Sequence, residues 1–243
     1  MIIIPDIHGR TFWKTAVRGR ENEKIIFLGD YTDPYPFEGI DPTAGLQSLR
    51  DVIDFKLQHR DNVVLLLGNH DLSYVSTYLT ECRHDDANHF EIRDLILKNI
   101  SLFKIAHEER IGYKRFVFTH AGILPGWLEN NEPTLGHIDK GHEVEVLNQL
   151  FESGDLYPAL GDISFDRGGN HDAGSCVWAD VNEHLYCTKS PNAIYSPDMY
   201  QVFGHSLLLS GQPIITSHFA CLDCREAFHI DDSGQICKSL EIM

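Results

Sequence analysis

Residues 62–71 read Asn-Val-Val-Leu-Leu-Leu-Gly-Asn-His-Asp, an aliphatic run that ends in a polar turn. Two earlier segments repeat this arrangement, with 2–4 followed by Pro-Asp-Ile-His-Gly-Arg and 24–28 followed by Gly-Asp-Tyr-Thr-Asp. Segments of helical length separate the runs, at 11–19 and 43–59, and the second carries apolar residues at three- and four-residue spacing. Because continuous apolar strands alternate with helices, the pattern predicts a parallel sheet covered on both faces.

A second group of strand-like runs occupies the rest of the chain, at 114–118, 199–203, 213–216 and 219–223. Residues 125–175 differ, because they are rich in Gly, Pro, Asn and Asp around one helix expected near 143–152. Long connections of this kind run over the surface of a domain and often carry function. We therefore expect one domain over residues 1–243, in which 125–175 form a cap or a loop elaboration.

The composition limits the partners that the chain can bind. The 36 acidic and 20 basic residues among 243 leave a net charge of −16. Binding to a nucleic-acid backbone relies on Lys and Arg, so we expect no such partner. A small phosphorylated substrate or a phosphoprotein remains compatible if bound cations supply positive charge. With no targeting segment, no membrane-length apolar stretch and six scattered cysteines, we expect a reduced, cytoplasmic protein with no membrane contact.

Five turns that follow predicted strands carry the residues that could bind metal ions or take part in catalysis. The carboxyl ends of strands in an open α/β sheet converge on one crevice, so these turns are expected to share a site. Each motif alone also has a purely structural interpretation, as a turn, a helix cap or a buried histidine, and their joint order favours the shared site. Carboxylate, carboxamide and imidazole donors suit Mn, Fe, Zn or Co. The residues are Asp6, His8 and Arg10, then Asp30 and Asp33, then Asn69, His70 and Asp71, then His120, and finally His205.

In this order, the residues resemble the motifs of the calcineurin-like metallophosphoesterases, from residue 6 to about 223. That pattern runs Gly-Asp-x-His-Gly, Gly-Asp-x-x-Asp-Arg-Gly, Gly-Asn-His-Glu, His-Gly/Ala-Gly and Gly-His. The closer likeness is to the phosphoprotein phosphatase branch, which includes Ser/Thr protein phosphatases and diadenosine tetraphosphate hydrolases. Residues 204–207 lack the second His of another branch, and the Val-Trp-Ala-Asp at 177–180 is similar to Leu-Trp-Ser-Asp. The resemblance implies an α/β fold of two packed mixed β-sheets flanked by helices, a four-layer sandwich.

The resemblance also implies two divalent metal ions, with manganese favoured and iron, zinc, cobalt or nickel as alternatives. The first ion would be held by Asp6 and His8, and Asp30 would bridge both ions. Three further residues would complete the second site, namely Asn69, His120 and His205. His70 would be no ligand, but the general acid that protonates the leaving oxygen. Asp33 would orient the His70 imidazole and support its charge.

The chain departs from the family pattern at three points, one of which is the conservative replacement of its glutamate by Asp71. Pro5 stands in place of the opening glycine, and Asp33 is followed by Pro-Tyr-Pro where the family has a phosphate-clamping arginine. Arg167 is the first candidate for the missing phosphate contact and Arg10 is the second, although either could be an ordinary surface arginine. Two aromatic residues, Trp127 and Tyr35, are candidates either for the substrate rim or for packing.

These features predict a phosphomonoester hydrolase, with phosphoproteins among its candidate substrates, that works by in-line attack of a metal-bridging hydroxide. One alternative is hydrolysis of a phosphoanhydride, such as a dinucleoside polyphosphate. The other is a scaffold of the same fold without catalysis, which is disfavoured because every ligand position and His70 are filled. The Cys-x-x-Cys at Cys221 and Cys224 has no second pair to form a zinc site. Buried thiols are its favoured interpretation, with a redox pair as the alternative.

Overall fold

The computed structural model describes residues 1–79, 82–188 and 196–239. Its strands are β1 (Ile2–Ile4), β2 (Ile25–Phe27), β3 (Val63–Leu66), β4 (Phe103–Lys104), β5 (Ala106–Ile111), β6 (Lys114–Thr119), β7 (Met199–Phe203), β8 (Ile214–Ile215), β9 (Phe219–Cys221), β10 (Phe228–Ile230) and β11 (Ile236–Lys238). Its α-helices are α1 (Phe12–Val17), α2 (Pro42–Gln58), α3 (Asn69–Ser73), α4 (His89–Lys98), α5 (Pro125–Asn130), α6 (Glu132–Leu135), α7 (Glu143–Ser153), α8 (Tyr157–Leu160) and α9 (Val181–Cys187). Short 3₁₀ turns lie at Pro36–Glu38, Ile100–Leu102 and Phe165–Arg167.

The strands form two mixed sheets. The first has the order β11-β10-β1-β2-β3-β4, in which β1 to β4 are parallel and β10 and β11 are antiparallel to their neighbours. The second has the order β5-β6-β7-β9-β8, in which β6, β7 and β9 are parallel and both edge strands are antiparallel. The predicted architecture of two mixed sheets flanked by helices is therefore confirmed.

The two sheets pack face to face through alternate residues of their strands. Ile3 and Ile26 of the first sheet share one buried cluster with Phe118 and Val202 of the second. Their sequence neighbours point to the opposite face, where Ile2 and the other alternate residues pack under the helices. Each fully buried side chain of this size contributes roughly 1.5–3 kcal/mol to folding. The packing holds the carboxyl ends of strands from both sheets close to one another.

The helix predicted at 43–59 is confirmed as α2, and its ends show why it forms there. Asp41 caps the helix by accepting a hydrogen bond from the Thr43 backbone N–H, and Pro42 occupies the first turn, where no N–H is needed. The apolar face carries Leu46 and Leu49, which are buried against the first sheet. Among the described residues, no helix combines the length and apolarity that crossing a membrane requires.

Two regions differ from the sequence-based expectation in detail. Residues 125–175 contain α5 to α8 instead of one helix, because prolines start short helices there and glycines such as Gly154 end them. Strand β5 was not predicted, because its Ala-His-Glu-Glu-Arg-Ile sequence is the charged pattern of an edge strand with a partly exposed face. The single domain with a cap at 125–175 stays a prediction, and its residues 80–81, 189–195 and 240–243 lie outside the described ranges.

One buried histidine is expected to make folding stability depend on pH. Burial lowers the pKa of His184 to about 4, while its Nε2 donates a hydrogen bond to the Ala121 carbonyl at 3.0 Å. Because the unfolded chain binds a proton near pH 6.5 and the folded chain does not, stability falls with pH from 6.5 toward 4. Between pH 7 and pH 5 this histidine accounts for a loss of about 2 kcal/mol. Urea unfolding at both pH values measures the free energy of unfolding of wild type and of His184→Gln at equal metal loading. The loss between pH 7 and pH 5 should be smaller by this amount in the variant. Equal losses in the two proteins would contradict the prediction.

Candidate metal centre

The predicted site residues meet where strands of both sheets end. Asp6 and His8 follow β1, Asp30 follows β2, and Asn69 and His70 begin α3 directly after β3. His120 and His205 follow β6 and β7 of the second sheet. All seven side chains belong to residues that are at least nine-tenths buried. The fold therefore gathers them although they are up to 199 residues apart in sequence.

One group of converging donor atoms comes from His8, Asp30 and His70, whose ligand atoms lie within 4.8 Å of one another. His8 Nδ1 lies 2.7 Å from the Thr32 carbonyl oxygen and must donate to it, so Nε2 carries the lone pair. That Nε2 lies 3.5 Å from Asp30 Oδ2. Burial lowers the pKa of His8 well below its usual value, which keeps the ring neutral and able to bind a cation.

A second group contains Asp30, His120 and His205, again within 4.8 Å. His120 Nδ1 donates to the Leu28 carbonyl oxygen at 2.8 Å, which leaves the lone pair on Nε2. This Nε2 lies 3.0 Å from Asn69 Oδ1, 3.1 Å from His205 Nδ1 and 3.5 Å from Asp30 Oδ2. The Asn69 amide is oriented by its Nδ2, which donates to Cys82 Sγ at 3.3 Å. Electron pairs thus converge on one point from several side chains.

This donor set fits divalent cations. Lone pairs at such distances repel one another unless a positive charge lies between them, and imidazole with carboxylate and carboxamide oxygen suits borderline metals. Burial raises the pKa of Asp30 well above its usual value, so a nearby cation is needed to favour the charged carboxylate. Asp30 belongs to both groups.

Asp6 is held differently from the other predicted ligands. Its two carboxylate oxygens accept the backbone N–H of His205 at 3.0 and 3.1 Å, and it belongs to neither group of converging atoms. A Cβ atom at Gly204 would lie 2.0 Å from Asp6 Oδ2, and one at Gly68 would lie 2.1 Å from Asp30 Oδ1. Glycine is therefore required at both strand ends, because any side chain would displace a carboxylate.

Backbone strain is concentrated at the same residues. In the ranges that the structure describes, five residues other than glycine have positive φ angles, and four of them are predicted site residues. Each costs about 1–3 kcal/mol and persists only where the surrounding structure enforces it. Such strain is typical of functional sites. The four are His8 at 45°, Asp30 at 56°, Asp33 at 60° and His205 at 61°.

The side chains of His70 and Asp33, which the resemblance implies as acid and orienting residue, are in contact. His70 Nδ1 donates to Asp33 Oδ2 at 2.8 Å, and the other carboxylate oxygen of Asp33 accepts hydrogen bonds from the Tyr74 hydroxyl and from the Asp85 backbone N–H. Asp33 is therefore fixed, and it fixes the ring of His70 in turn. Because His70 also lies in the group with His8, its position is compatible with ligation as well as with proton donation.

Asp71 ties two of the strand ends together. Its Oδ2 accepts the backbone N–H groups of Asp30 at 2.7 Å and Gly68 at 2.9 Å, and its Oδ1 accepts that of Tyr31 at 3.1 Å. Burial raises the pKa of Asp71 to about 6, while these three donors act in the opposite direction. The residue that stands where the resembling family has glutamate thus aligns the turns that carry the converging side chains.

The two arginines proposed from the sequence are both engaged with carboxylates. Arg10 donates from Nε and Nη2 to Glu38, each at 2.9 Å, and its Nη1 contacts backbone carbonyl oxygens. Arg167 pairs with Asp180 at 2.8 Å, and its Nη2 lies 3.3 Å from the His205 carbonyl oxygen. Arg167 therefore lies at the rim of the second group. A phosphate contact by either arginine stays a prediction.

Two residues at the site were missed by the sequence reasoning. The Nε of Arg83 donates to the Asp33 carbonyl oxygen at 2.8 Å, and its Nη2 lies 3.3 Å from His8 Nδ1. No glycine or strand end marks this arginine in the sequence. Asp223 is buried, its Oδ1 has no hydrogen-bond partner among the residues that the structure describes, and its pKa is raised by burial and by the nearby charge of Asp6. Its place just beyond β9 was the signal that could have identified it.

The four remaining residues singled out in the sequence are two aromatic residues and two cysteines. Trp127 is fully buried and donates its Nε1 hydrogen to the Ala159 carbonyl oxygen, so it packs in the core and forms no rim. Tyr35 lies at the site, with its ring centroid 5.1 Å from that of His8. Cys221 and Cys224 are buried thiols without a disulfide.

Comparisons with known proteins agree with this geometry. The family model described as calcineurin-like phosphoesterase matches residues 2–211. A solved structure of a protein serine/threonine phosphatase from Saccharomyces cerevisiae, with similarity to human phosphatase PP5, is similar with a TM-score of 0.53 and 11% identity. The similarity covers 98% of this chain and 78% of that one, and at this identity it supports the fold. A search of the curated proteins finds no significant match.

Proposed function

The chain belongs to the calcineurin-like phosphoesterase family and is a metal-dependent phosphoester hydrolase, and from that premise we propose that it cleaves its substrate at a centre of two divalent cations. One observation carries the proposal. Asp30 Oδ2 lies 3.5 Å from the Nε2 atoms of both His8 and His120, as expected for a carboxylate shared by two ions. When bound, the cations would activate water for attack and neutralise charge on the phosphoryl group.

The proposed ligands divide between the two ions as the resemblance implies. Asp6, His8 and Asp30 would hold the first ion. Asp30 would reach the second as well, together with Asn69, His120 and His205. Manganese is the proposed metal, with iron, zinc, cobalt and nickel as alternatives, because the converging atoms are nitrogen and oxygen.

His70 is proposed as the general acid. Its Nδ1 proton is held by Asp33, so its Nε2 is left to donate a proton to the leaving oxygen. The hydrogen bond also fixes the orientation of the ring relative to the converging donor atoms. Tyr74 and the Asp85 backbone support this role by holding Asp33 from its other oxygen.

The first substrate class that we propose is a phosphomonoester, with phosphoproteins among the candidates. We also propose a cytoplasmic location, which buried free thiols such as Cys176 support. The second substrate class is a phosphoanhydride, which is favoured by Arg83, because no carboxylate in the described part of the chain pairs with its guanidinium. A scaffold without catalysis would not need an aligned pair such as Asp33 and His70.

Metal binding and turnover test the proposal together. Metal-free protein, titrated with manganese, is expected to bind two ions per chain and then to hydrolyse para-nitrophenyl phosphate. Elemental analysis after gel filtration gives the stoichiometry, and release of para-nitrophenolate gives the rate. Folded protein that holds no more than one ion would contradict the binuclear centre. Absence of turnover on this ester, phosphopeptides and nucleotides alike would contradict the hydrolase.

A further inference from the structure

Three arginines surround the ring of Tyr35 at the edge of the candidate metal centre. The guanidinium carbon lies 3.7 Å from the ring centroid for Arg83, 5.6 Å for Arg10 and 5.8 Å for Arg225. Arg10 and Arg225 share one carboxylate partner, Glu38, at 2.8 and 2.9 Å. No carboxylate of the described residues lies within ion-pair distance of Arg83. In a chain of net charge −16, this cation therefore has no carboxylate partner within the described ranges.

The guanidinium of Arg83 is nevertheless held in one place. Its Nε donates to the Asp33 carbonyl oxygen, and its plane is supported by the face of Tyr35. The side chain is only partly buried, so its remaining N–H groups stay accessible. Because His8 Nδ1 already donates to Thr32, it cannot accept strongly from Arg83 Nη2 at 3.3 Å. A guanidinium that is fixed, partly exposed and without a carboxylate partner among the residues described suits bidentate contact with a phosphate.

The contacts of Arg83 indicate which part of a substrate it would reach. Nη2 lies beside Nδ1 of His8, whereas the opposite nitrogen, Nε2, faces Asp30 and the converging donor atoms. The guanidinium is therefore displaced by the width of one imidazole ring from the point where the phosphoryl group would be cleaved. Its second contact is the backbone of Asp33, the partner of the proposed acid His70. Arg83 is thus linked through Asp33 to the proposed acid, which would meet the leaving oxygen.

We propose that Arg83 binds a phosphate carried by the leaving group, so that the site acts on a phosphoanhydride such as a nucleoside diphosphate. This inference rests on the proposed function. A water oxygen forms a bond to the terminal phosphorus, and the bond from that phosphorus to the bridging oxygen breaks. The electron pair of the broken bond stays on the bridging oxygen, which takes a proton from His70, while the attacking water loses a proton to solvent. The products are inorganic phosphate and a nucleoside monophosphate held by Arg83.

The test compares two substrates that share the transferred phosphoryl group and differ in the leaving group. Wild type and Arg83→Gln are assayed with two substrates. Adenosine diphosphate releases adenosine monophosphate, a leaving group that carries a phosphate. Para-nitrophenyl phosphate releases para-nitrophenolate, a leaving group that carries none. We expect kcat/KM for adenosine diphosphate to fall about 10- to 100-fold in the variant, with less than a threefold change for the ester. Inhibition of ester hydrolysis by adenosine monophosphate should weaken by a similar factor, while inhibition by inorganic phosphate stays unchanged. The control Arg93→Gln removes an exposed arginine of α4 and should change none of these values.

Metal stoichiometry is measured for every variant, so that damage to the metal centre is recognised. Equal losses with both substrates at full metal content would place Arg83 on the transferred phosphoryl group and overturn the inference, and so would no loss with either. Wild-type protein that cleaves the ester but not the diphosphate would also overturn it while leaving the proposed function intact. Absence of activity on both substrates in loaded wild-type protein is instead the failure of the proposed function.

Discussion

Replacing Asp30 with asparagine is expected to remove both metal ions and to lower phosphoester hydrolysis roughly 10³-fold or more. The side chain keeps nearly the same shape, but the carboxylate that lies 3.5 Å from both His8 and His120 loses its charge. The two cations would then be balanced by one negative charge fewer. In a buried site this loss is costly, because charge interactions are strong there. Loss of a shared ligand weakens both sites at once, whereas loss of His8 or His120 should weaken mainly one.

Elemental analysis and the para-nitrophenyl phosphate assay measure this effect in parallel. The amide oxygen can still accept the His70 backbone N–H that now donates to Asp30 at 3.1 Å, so the variant is expected to fold. Far-UV circular dichroism checks that expectation. The matched control is Asp54→Asn on the exposed face of α2, which should keep both ions and full activity. An Asp30→Asn protein with two tightly bound ions would show that the bridge lies elsewhere.

Replacing His70 with asparagine is expected to lower kcat about 10²–10⁴-fold for an alkyl phosphate while two ions remain bound. An alkoxide needs a proton to depart, and the ring held by Asp33 is placed to supply it. Para-nitrophenolate departs without protonation, so its release should be reduced much less. This difference between leaving groups separates acid catalysis from ligation, which matters because His70 lies within 4.8 Å of donor atoms of His8 and Asp30.

The experiment measures hydrolysis of para-nitrophenyl phosphate and of an alkyl phosphate by wild type and by His70→Asn. Metal content is measured in the same samples. His142→Asn, at an exposed position before α7, serves as the control. If His70→Asn loses an ion and slows both substrates equally, His70 is a ligand and the acid must be sought elsewhere. Asp33→Asn should resemble the His70 variant in leaving-group preference, because its role acts through that ring.

The strand ends were predictable because their pattern is local. An aliphatic run specifies a buried strand, and the turn that follows a parallel strand lies at the carboxyl edge of the sheet. Asp6, Asp30 and Asn69 could therefore be assigned to one edge. The same reasoning would have found Asp223, which lies just beyond β9 but lacks a flanking glycine motif. Strand β5 escaped because an edge strand with charged residues on its exposed face has no continuous apolar run.

The contacts around the acid pair were not predictable in this way. Tyr74 and Asp85 reach Asp33 from segments 41 and 52 residues away, and no spacing rule connects them. The same holds for Arg83, which lies 75 residues from His8 in sequence and 3.3 Å from it in space. Trp127 shows the reverse case, since an aromatic residue in a loop-like stretch proved to be fully buried.

The sequence by itself determined the donor chemistry and its location at strand ends, since hydrophobic runs and glycine-flanked turns are encoded by neighbouring residues. Only the tertiary structure decided which charges stay unpaired, because pairing depends on distances between segments that touch only after the two sheets have packed. That is why the imidazoles and carboxylates could be listed in advance, while Arg83, which has no carboxylate partner in the described ranges, could not.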